Sequence, residues 1–372
     1  MAERVCYRLA PRSPFHIGDK GVGLEETTQI LHSDTIFSAI CVTLALAGEN
    51  LEDFLNEFPT WSDDEVNLSK EPPFRITSAF PYYRQTYLFP KPHLRIQGFG
   101  ESPSPKLGKI IKKIKFVSSD IFTAINQAQD VASDLLIQDE EQTSVTEDNL
   151  LQSGSVWASH QTSSSSGQTL REKPKNIWFD EKVPRVSVDR VDQSSSIFAC
   201  GRIWFADHAG LFFLVEYSKP EYRPLVEKAL RILGDEGIGG ERSVGHGQFS
   251  LDIENDWPIS YDLEDSEKYN AFTNLSLYWP AEEEVESGIL DASAYQLINR
   301  RGWVGSMGSM NLRRRGVNFL EEGSVFSKRP NGALVNVKPL DPSPAQNVPH
   351  PVWRYGIALS VPCRLPNQQG GN

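Results

Sequence analysis

Residues 237–247 read GIGGERSVGHG, and their neighbours limit what the chain around them can become. Five glycines in eleven residues release the backbone from side-chain sterics and let it approach a ligand closely. Upstream, PEYRPLVEKALRIL places Leu225, Val226, Ala229, Leu230 and Leu233 on one helical face, with Gly234 at the expected helix end. Downstream, Phe249, Leu251 and Ile253 alternate with Gln248, Ser250 and Asp252, the pattern of a half-buried strand. The loop therefore joins a helix to a following strand.

That order excludes two familiar nucleotide-binding loops. A Walker loop and a dinucleotide fingerprint both follow a strand and open a helix, so that phosphate sits at the helix N-terminus. Here Gly240 and Gly245 lead to His246 and Gly247, not to Lys and Ser or Thr. A chain reversal alone needs fewer glycines, and Arg242, Ser243 and His246 are interleaved among them. We read the stretch as a backbone cradle for an anion or a nucleic acid, in preference to a plain turn.

A formal net charge of −12 argues against a nucleic-acid partner until its distribution is considered. Asp252 to Glu286 holds eleven acids and one base, and Glu49 to Glu65 holds seven acids and no base. The bases gather at Lys106 to Lys115, at Arg185 and Arg190, and at Arg300, Arg301 and Arg313 to Arg315. Such segregation suits a subunit that docks protein on one face and a polyanion on another, although the acidic runs serve solubility equally well. The four cysteines (Cys6, Cys41, Cys200, Cys363) lack zinc or redox spacing and read as free thiols. No segment has the length and apolarity to span a bilayer, and MAERVCYRLA has no signal core. The expectation is a soluble, cytoplasmic protein without metal or cofactor.

Taken in order, Arg4 to Ala10 alternates and predicts a first strand. Ser33 or Asp34 then caps a helix with Ile36, Phe37, Ile40, Cys41 and Leu44 on one face, ending at Gly48. Its amides from Ser33 to Ile36 offer a phosphate seat, and His32 reads as a hydrogen-bonding partner at the helix start. FRITSAFPYYRQTYLF follows, broken by Pro81; Tyr82, Tyr83 and Tyr87 are second-rank base-stacking candidates, since such aromatics more often serve the core. Lys91 to about Lys175 reads as an insertion whose lysine run, KLGKIIKKIKF, suits RNA or a solvated face equally. Ile197 to Phe205 and Leu211 to Tyr217 predict two strands around a turn holding His208. Strand, helix, strand, strand, helix, strand is the ferredoxin-like βαββαβ order, and sheets of this kind commonly present RNA-binding surfaces. Beyond Trp257 an acidic linker leads to further strands, which we read as a degraded second copy. Within them, GWVGSMGSMNLRRRGVNF sets three arginines directly after a glycine-rich loop.

The segments FHIGDKGVGLEET, HSDTIFSAIC, AFPYYRQTYLFPKP, RVSVDR, GIGGERSVGHGQF, GWVGS, EEGSVF and HPVWRYG, in this order, carry a resemblance. The chain resembles the RAMP subunits of CRISPR effector complexes, and among them the family of subunit four of the type III-A Csm complex. Gly98 to Lys175 carries little of the likeness. The resemblance implies an α+β fold of two ferredoxin-like (RRM-like, RAMP) domains, at 1–257 and 268–365. The first has a large insertion at about 91–175 and a Gly-rich loop after its second helix. It also implies an antiviral-defence ribonucleoprotein in which this subunit is non-catalytic and holds the 5′ repeat-derived tag of crRNA. Its partners would be the large polymerase-like subunit one and the backbone RAMP subunit three. The RNA-binding set expected is His16, Lys20, Ser33, Arg185, Arg190, Gly239, Gly240, Arg242, Ser243, Gly245, His246, Gly247, Arg313 and Arg314. The alternative is a metal-independent endoribonuclease processing precursor crRNA, for which His16, His32 or His246 would supply the acid and base. Backbone-bonding and phosphate-contact roles account for these histidines without catalysis, so binding is favoured.

Overall fold

The computed structural model describes residues 2–18, 23, 25–99, 104–138, 143–145, 148–159, 175–188, 194–259, 261, 269–304, 312–339, 348 and 350–365. The architecture is mixed α+β. In chain order the N-terminal part holds β1 (Glu3–Pro11), α1 (Ser33–Leu46), β2 (Phe74–Ile76), β3 (Phe80–Tyr83), β4 (Thr86–Pro90) and β5 (Phe116–Ser118). Then come β6 (Val156–Trp157), β7 (Trp178–Val188), β8 (Ser195–Phe205), β9 (Ala209–Tyr217), α2 (Arg223–Glu236) and β10 (Phe249–Glu254).

β1 lies between β9 and β10, and β9 also pairs with β2 and β3, all antiparallel. Side chains alternate across this sheet. Val5, Tyr7 and Leu9, with Leu211, Phe213 and Val215, face α1 and α2, which contribute Ile36, Phe37, Ile40 and Leu44 and Val226, Ala229, Leu230 and Leu233. Cys6, Phe212 and Leu214 face the other way, into a second core with Phe89, Phe116 and Trp157. Burial on both faces explains why Leu211 to Val215 reads as an unbroken apolar run. Each such side chain contributes about 1.5–3 kcal/mol.

Three expectations change here. The second strand of the unit is β2 and β3, not Ile197 to Phe205; the latter pairs with β7 in a two-stranded hairpin. Pro81 hid β3 from the pattern, yet pairing with β4 begins only at Tyr82, beyond the missing amide. Next, Gly234 lies inside α2, which runs on to Gly237 at φ +85°. A Cβ at Gly234 would stand 2.8 Å from the Phe249 carbonyl, so the glycine admits close helix–strand packing. Lastly, part of the insertion is continuous with the sheet, because β5, β6 and Leu150–Leu151 join it through β4 and bring it to nine strands. Lys106, Lys109, Lys112, Lys113 and Lys115 are exposed around a short amphipathic helix, Pro105–Lys113. The insertion's Ser/Gln tract, SSSSGQ at 163–168, lies outside the described residues.

The C-terminal part contains β11 (Ala271–Asn274), α3 (Glu282–Glu286), β12 (Leu297–Arg300), β13 (Val317–Leu320), β14 (Val325–Phe326) and β15 (Ser360–Cys363). β11 lies between β15 and β14. Phe272 opposite Phe326, Thr273 opposite Val325 and Tyr278 opposite Leu320 share one register, so β13 and β14 act as one interrupted strand. β12 pairs with β13 on the far side, and Ala294 bridges Val325. The order is therefore fourth, first, third, second, as in the N-terminal sheet.

The two parts are joined through backbone. Leu334–Asn336 pairs in parallel with Thr60–Trp61. The Ser78 amide donates to the Leu275 carbonyl at 2.9 Å, and the Ile76 amide to Tyr355 Oη at 3.0 Å. Leu334, Tyr355 and Ile357 complete the core beneath α1 and α2.

Candidate nucleic-acid interface

The glycine loop is held against residues 13–16. The Gly240 amide donates to the His16 carbonyl and the Gly247 amide to the Pro14 carbonyl, both at 2.9 Å. Cβ atoms at Gly237, Gly239 and Gly247 would meet backbone oxygens at 2.3, 2.6 and 2.1 Å, and one at Gly240 would meet the His16 ring at 2.6 Å. These four glycines serve chain-to-chain packing. Gly245 differs: it is exposed at φ +85°, and nothing lies within 4 Å of a Cβ placed there.

Between them the tip rises as a short turn, Arg242–Val244, entered through Glu241 at φ +57°. Arg242, Ser243 and Val244 are exposed. Among the described residues, the Arg242 side chain has no partner, and the amides of Glu241, Arg242 and Ser243 have no acceptor. Successive free amides beside a free guanidinium suit a phosphate oxygen.

The base of the β7–β8 hairpin flanks this tip. His16 Nδ1 bonds the Gly201 carbonyl at 2.7 Å, and Phe15 bridges Ile203. Arg185 of β7 sits 3.7 Å from Glu241 and 3.4 Å from His246 Nε2. Since guanidinium only donates, Nε2 accepts and the proton resides on Nδ1, which is buried with no acceptor among the described residues. Burial, then the Arg185 charge, holds the His246 pKa below the ordinary imidazole value. A neutral ring with its acceptor nitrogen occupied is poorly placed as a general base.

The structure thus brings together His16, Arg185, Gly239, Gly240, Arg242, Ser243, Gly245, His246 and Gly247. Lys20 and Arg190 lie outside the described residues. Ser33 leaves the accessible set: it is fully buried, its amide donates to Ser78 Oγ at 2.8 Å, and its Oγ accepts from Leu277 at 3.0 Å. The phosphate seat expected at the start of α1 is closed as well, because the amides of Thr35 and Ile36 bond the His32 carbonyl. His32 is buried against Glu322, 2.8 Å away, far from any solvent-facing role. Tyr82, Tyr83 and Tyr87 are core residues. Arg8 stacks over Tyr82 at 4.2 Å.

Asp34 accepts Arg300 Nε and Nη2 at 3.2 and 3.1 Å, and Arg354 Nε lies 3.4 Å away. All three side chains are almost fully buried. The two guanidiniums outweigh the desolvation of Asp34 and hold its pKa well below the carboxylate range. Burial, with Arg314 and Arg300 nearby, lowers Arg354 to about 10. Arg313 and Arg314 stand apart from the glycine loop's contacts, on a cavity of about 300 Å³ that Arg301 and Trp303 also line. Arg315 pairs with Asp63 at 2.6 Å, in the first acidic run and not in the linker. Sequence reasoning counted Arg300 and Arg301 among the basic residues but gave them no role; Trp303 in GWVGS was the available signal.

Known proteins resemble this chain in sequence and in fold. The RAMP superfamily profile matches residues 8–250, and the profile "CRISPR Csm4 C-terminal domain" matches residues 267–363. The protein "CRISPR system Cms protein Csm4" of Mycobacterium tuberculosis (strain CDC 1551 / Oshkosh) is 27% identical over 347 residues, covering 92% of this chain and 93% of the relative. Its namesake in Thermococcus onnurineus (strain NA1) is 26% identical over 373 residues, covering 98% and 99%. Among solved structures, a chain of the Csm3–Csm4 subcomplex in the type III-A CRISPR-Cas interference complex superposes with TM-score 0.60 at 18% identity, covering 97% of this chain and 99% of that one. A chain of the Csm1–Csm4 cassette in complex with cA4 gives 0.54 at 18% identity, covering 98% and 99%. The chain belongs to the RAMP superfamily, with a C-terminal region matching the CRISPR Csm4 C-terminal domain.

Proposed function

We propose that this chain is the RNA-binding, non-catalytic subunit four of a type III-A CRISPR effector ribonucleoprotein, acting in the cytoplasm in antiviral defence. It holds the 5′ repeat-derived tag of crRNA and bridges the large polymerase-like subunit to the backbone RAMP subunit. Two ferredoxin-like units, 1–257 and 268–365, build it, the second degenerate. The repeated strand order and the separate matches at 8–250 and 267–363 support that division.

The observation that carries the reading is the loop tip, where Arg242 and three amides have no partner among the described residues, on a base of packed glycines. Arg242 and Ser243 grip backbone phosphate, Gly245 lets it approach, and Arg185 adds charge beneath. Phosphate contacts of this kind position RNA without reading its sequence. A ribonuclease role finds little support: His32 is committed to Glu322, and His246 to Arg185.

The test is affinity of the assembled complex for tag-bearing crRNA as salt rises. Log affinity should fall with log salt by about 0.7 per single-strand phosphate neutralised, and Arg242→Ala should remove about one such increment. A slope that Arg242→Ala leaves unchanged assigns the tip to a protein interface.

A further inference from the structure

The cavity of about 300 Å³ in the C-terminal unit is lined by three guanidiniums, Arg301, Arg313 and Arg314, together with Asn299 and Trp303. Among the described residues, none that lines it is a carboxylate. Arg301 Nε donates to Asn299 Oδ1 at 2.9 Å, which fixes that guanidinium at the wall. Arg313 lies 5.0 Å over the Trp303 ring, and 46% of Trp303 remains exposed. Arg314 is tethered by its amide to the Gly302 carbonyl at 2.8 Å, but its side chain meets no partner among the described residues, and its Nε is buried.

The layer behind deepens the imbalance. Asp34 is the carboxylate there, already shared by Arg300 and Arg354, and Arg354 Nε and Nη1 form no hydrogen bond. Arg314 therefore adds a third guanidinium to the two that already share Asp34. Unpaired buried charge is costly, and an anion in the cavity relieves it. A flat, half-exposed indole beside the cations adds a stacking face that a simple anion would not use. The volume is at the lower end of that of small-molecule sites, about 300–1,000 Å³.

We propose that this cavity is a nucleotide site, seating one phosphate between Arg301 and Arg314 and one base against Trp303. It is a second seat beyond the glycine loop, and rests on the RNA-binding reading only where the nucleotide is taken to belong to an RNA. A free nucleotide presents the same chemistry.

The probe is adenosine 5′-monophosphate, titrated calorimetrically into the full-length chain, with adenosine and inorganic phosphate as comparisons. AMP should bind at least ten-fold more tightly than either fragment. Arg301 is exposed, so Arg301→Ala tests the phosphate seat without opening the core, and should weaken AMP at least ten-fold, as should Arg314→Ala. Trp303→Ala should weaken it about five-fold or more, from the stacking it removes. Arg242→Ala should leave AMP binding unchanged, which separates this site from the glycine loop. Tag RNA that displaces AMP assigns the seat to an RNA nucleotide; RNA that binds without displacing it assigns the seat to a free one. No AMP binding, phosphate binding as tight as AMP, or equal AMP binding in Arg301→Ala overturns the proposal. Capture of an acidic peptide there in place of AMP overturns it in favour of a protein partner.

Discussion

Asp34→Asn probes the joint between the units. The carboxylate lies at the start of α1, 2% exposed, while Arg300 and Arg354 reach it from the other unit at 4% and 5%. Asparagine keeps the shape but removes the charge, leaving two buried guanidiniums facing each other and Arg314. Breaking a buried pair by removing one partner costs about 3–5 kcal/mol. With a urea m-value of about 3 kcal/mol/M, the unfolding midpoint should fall by roughly 1 M or more. pH supplies a second check. The folded-state pKa of Asp34 is depressed, so its contribution is present in full above the unfolded carboxylate value of about 3.9 and is lost as pH falls below it. The gap between wild type and variant should therefore be flat from about pH 5 to 8 and close in acid. A midpoint within about 0.2 M of wild type at pH 7 would refute the claim that this carboxylate neutralises the cluster.

Gly247→Ala should lower the thermal midpoint sharply, because its Cβ would stand 2.1 Å from the Ile238 carbonyl. Gly245→Ala should fold, with strain of about 1–2 kcal/mol from its positive φ, and weaken crRNA retention in the assembled complex; retention equal to wild type would place the RNA elsewhere. The purified chain should not cleave repeat RNA with or without chelator, and cleavage lost specifically in His16→Ala or His246→Ala would restore the nuclease reading.

Local patterns were legible wherever neighbours in sequence are neighbours in space. α1, α2 and the strand that follows the glycine loop came from periodicity alone. The hairpin was misplaced because Ile197 to Phe205 alternates as well as any sheet strand, while β3 carries a proline. Which glycines pack and which stand open was not legible, since the packing of Gly240 and Gly247 depends on residues 13–16, more than two hundred positions away. The arginine cluster was hidden for the same reason: Asp34, Arg300 and Arg354 share no local signal, and the capping role read for Asp34 is instead an ion pair across the joint.

The interleaving of the two units bears on how the chain is made. A ribosome finishes β10 roughly a hundred residues before Tyr355 and Ile357, which at about 5–20 residues per second is some 5–20 seconds of synthesis. Until then Phe37, Phe58 and Phe74 have a core missing one wall, and Thr60–Trp61 lacks Leu334–Asn336 beside it. A chain cut at the linker would carry that open state permanently. Through the very interval in which its first unit looks complete, the nascent chain therefore carries an apolar face that only its own last residues cover.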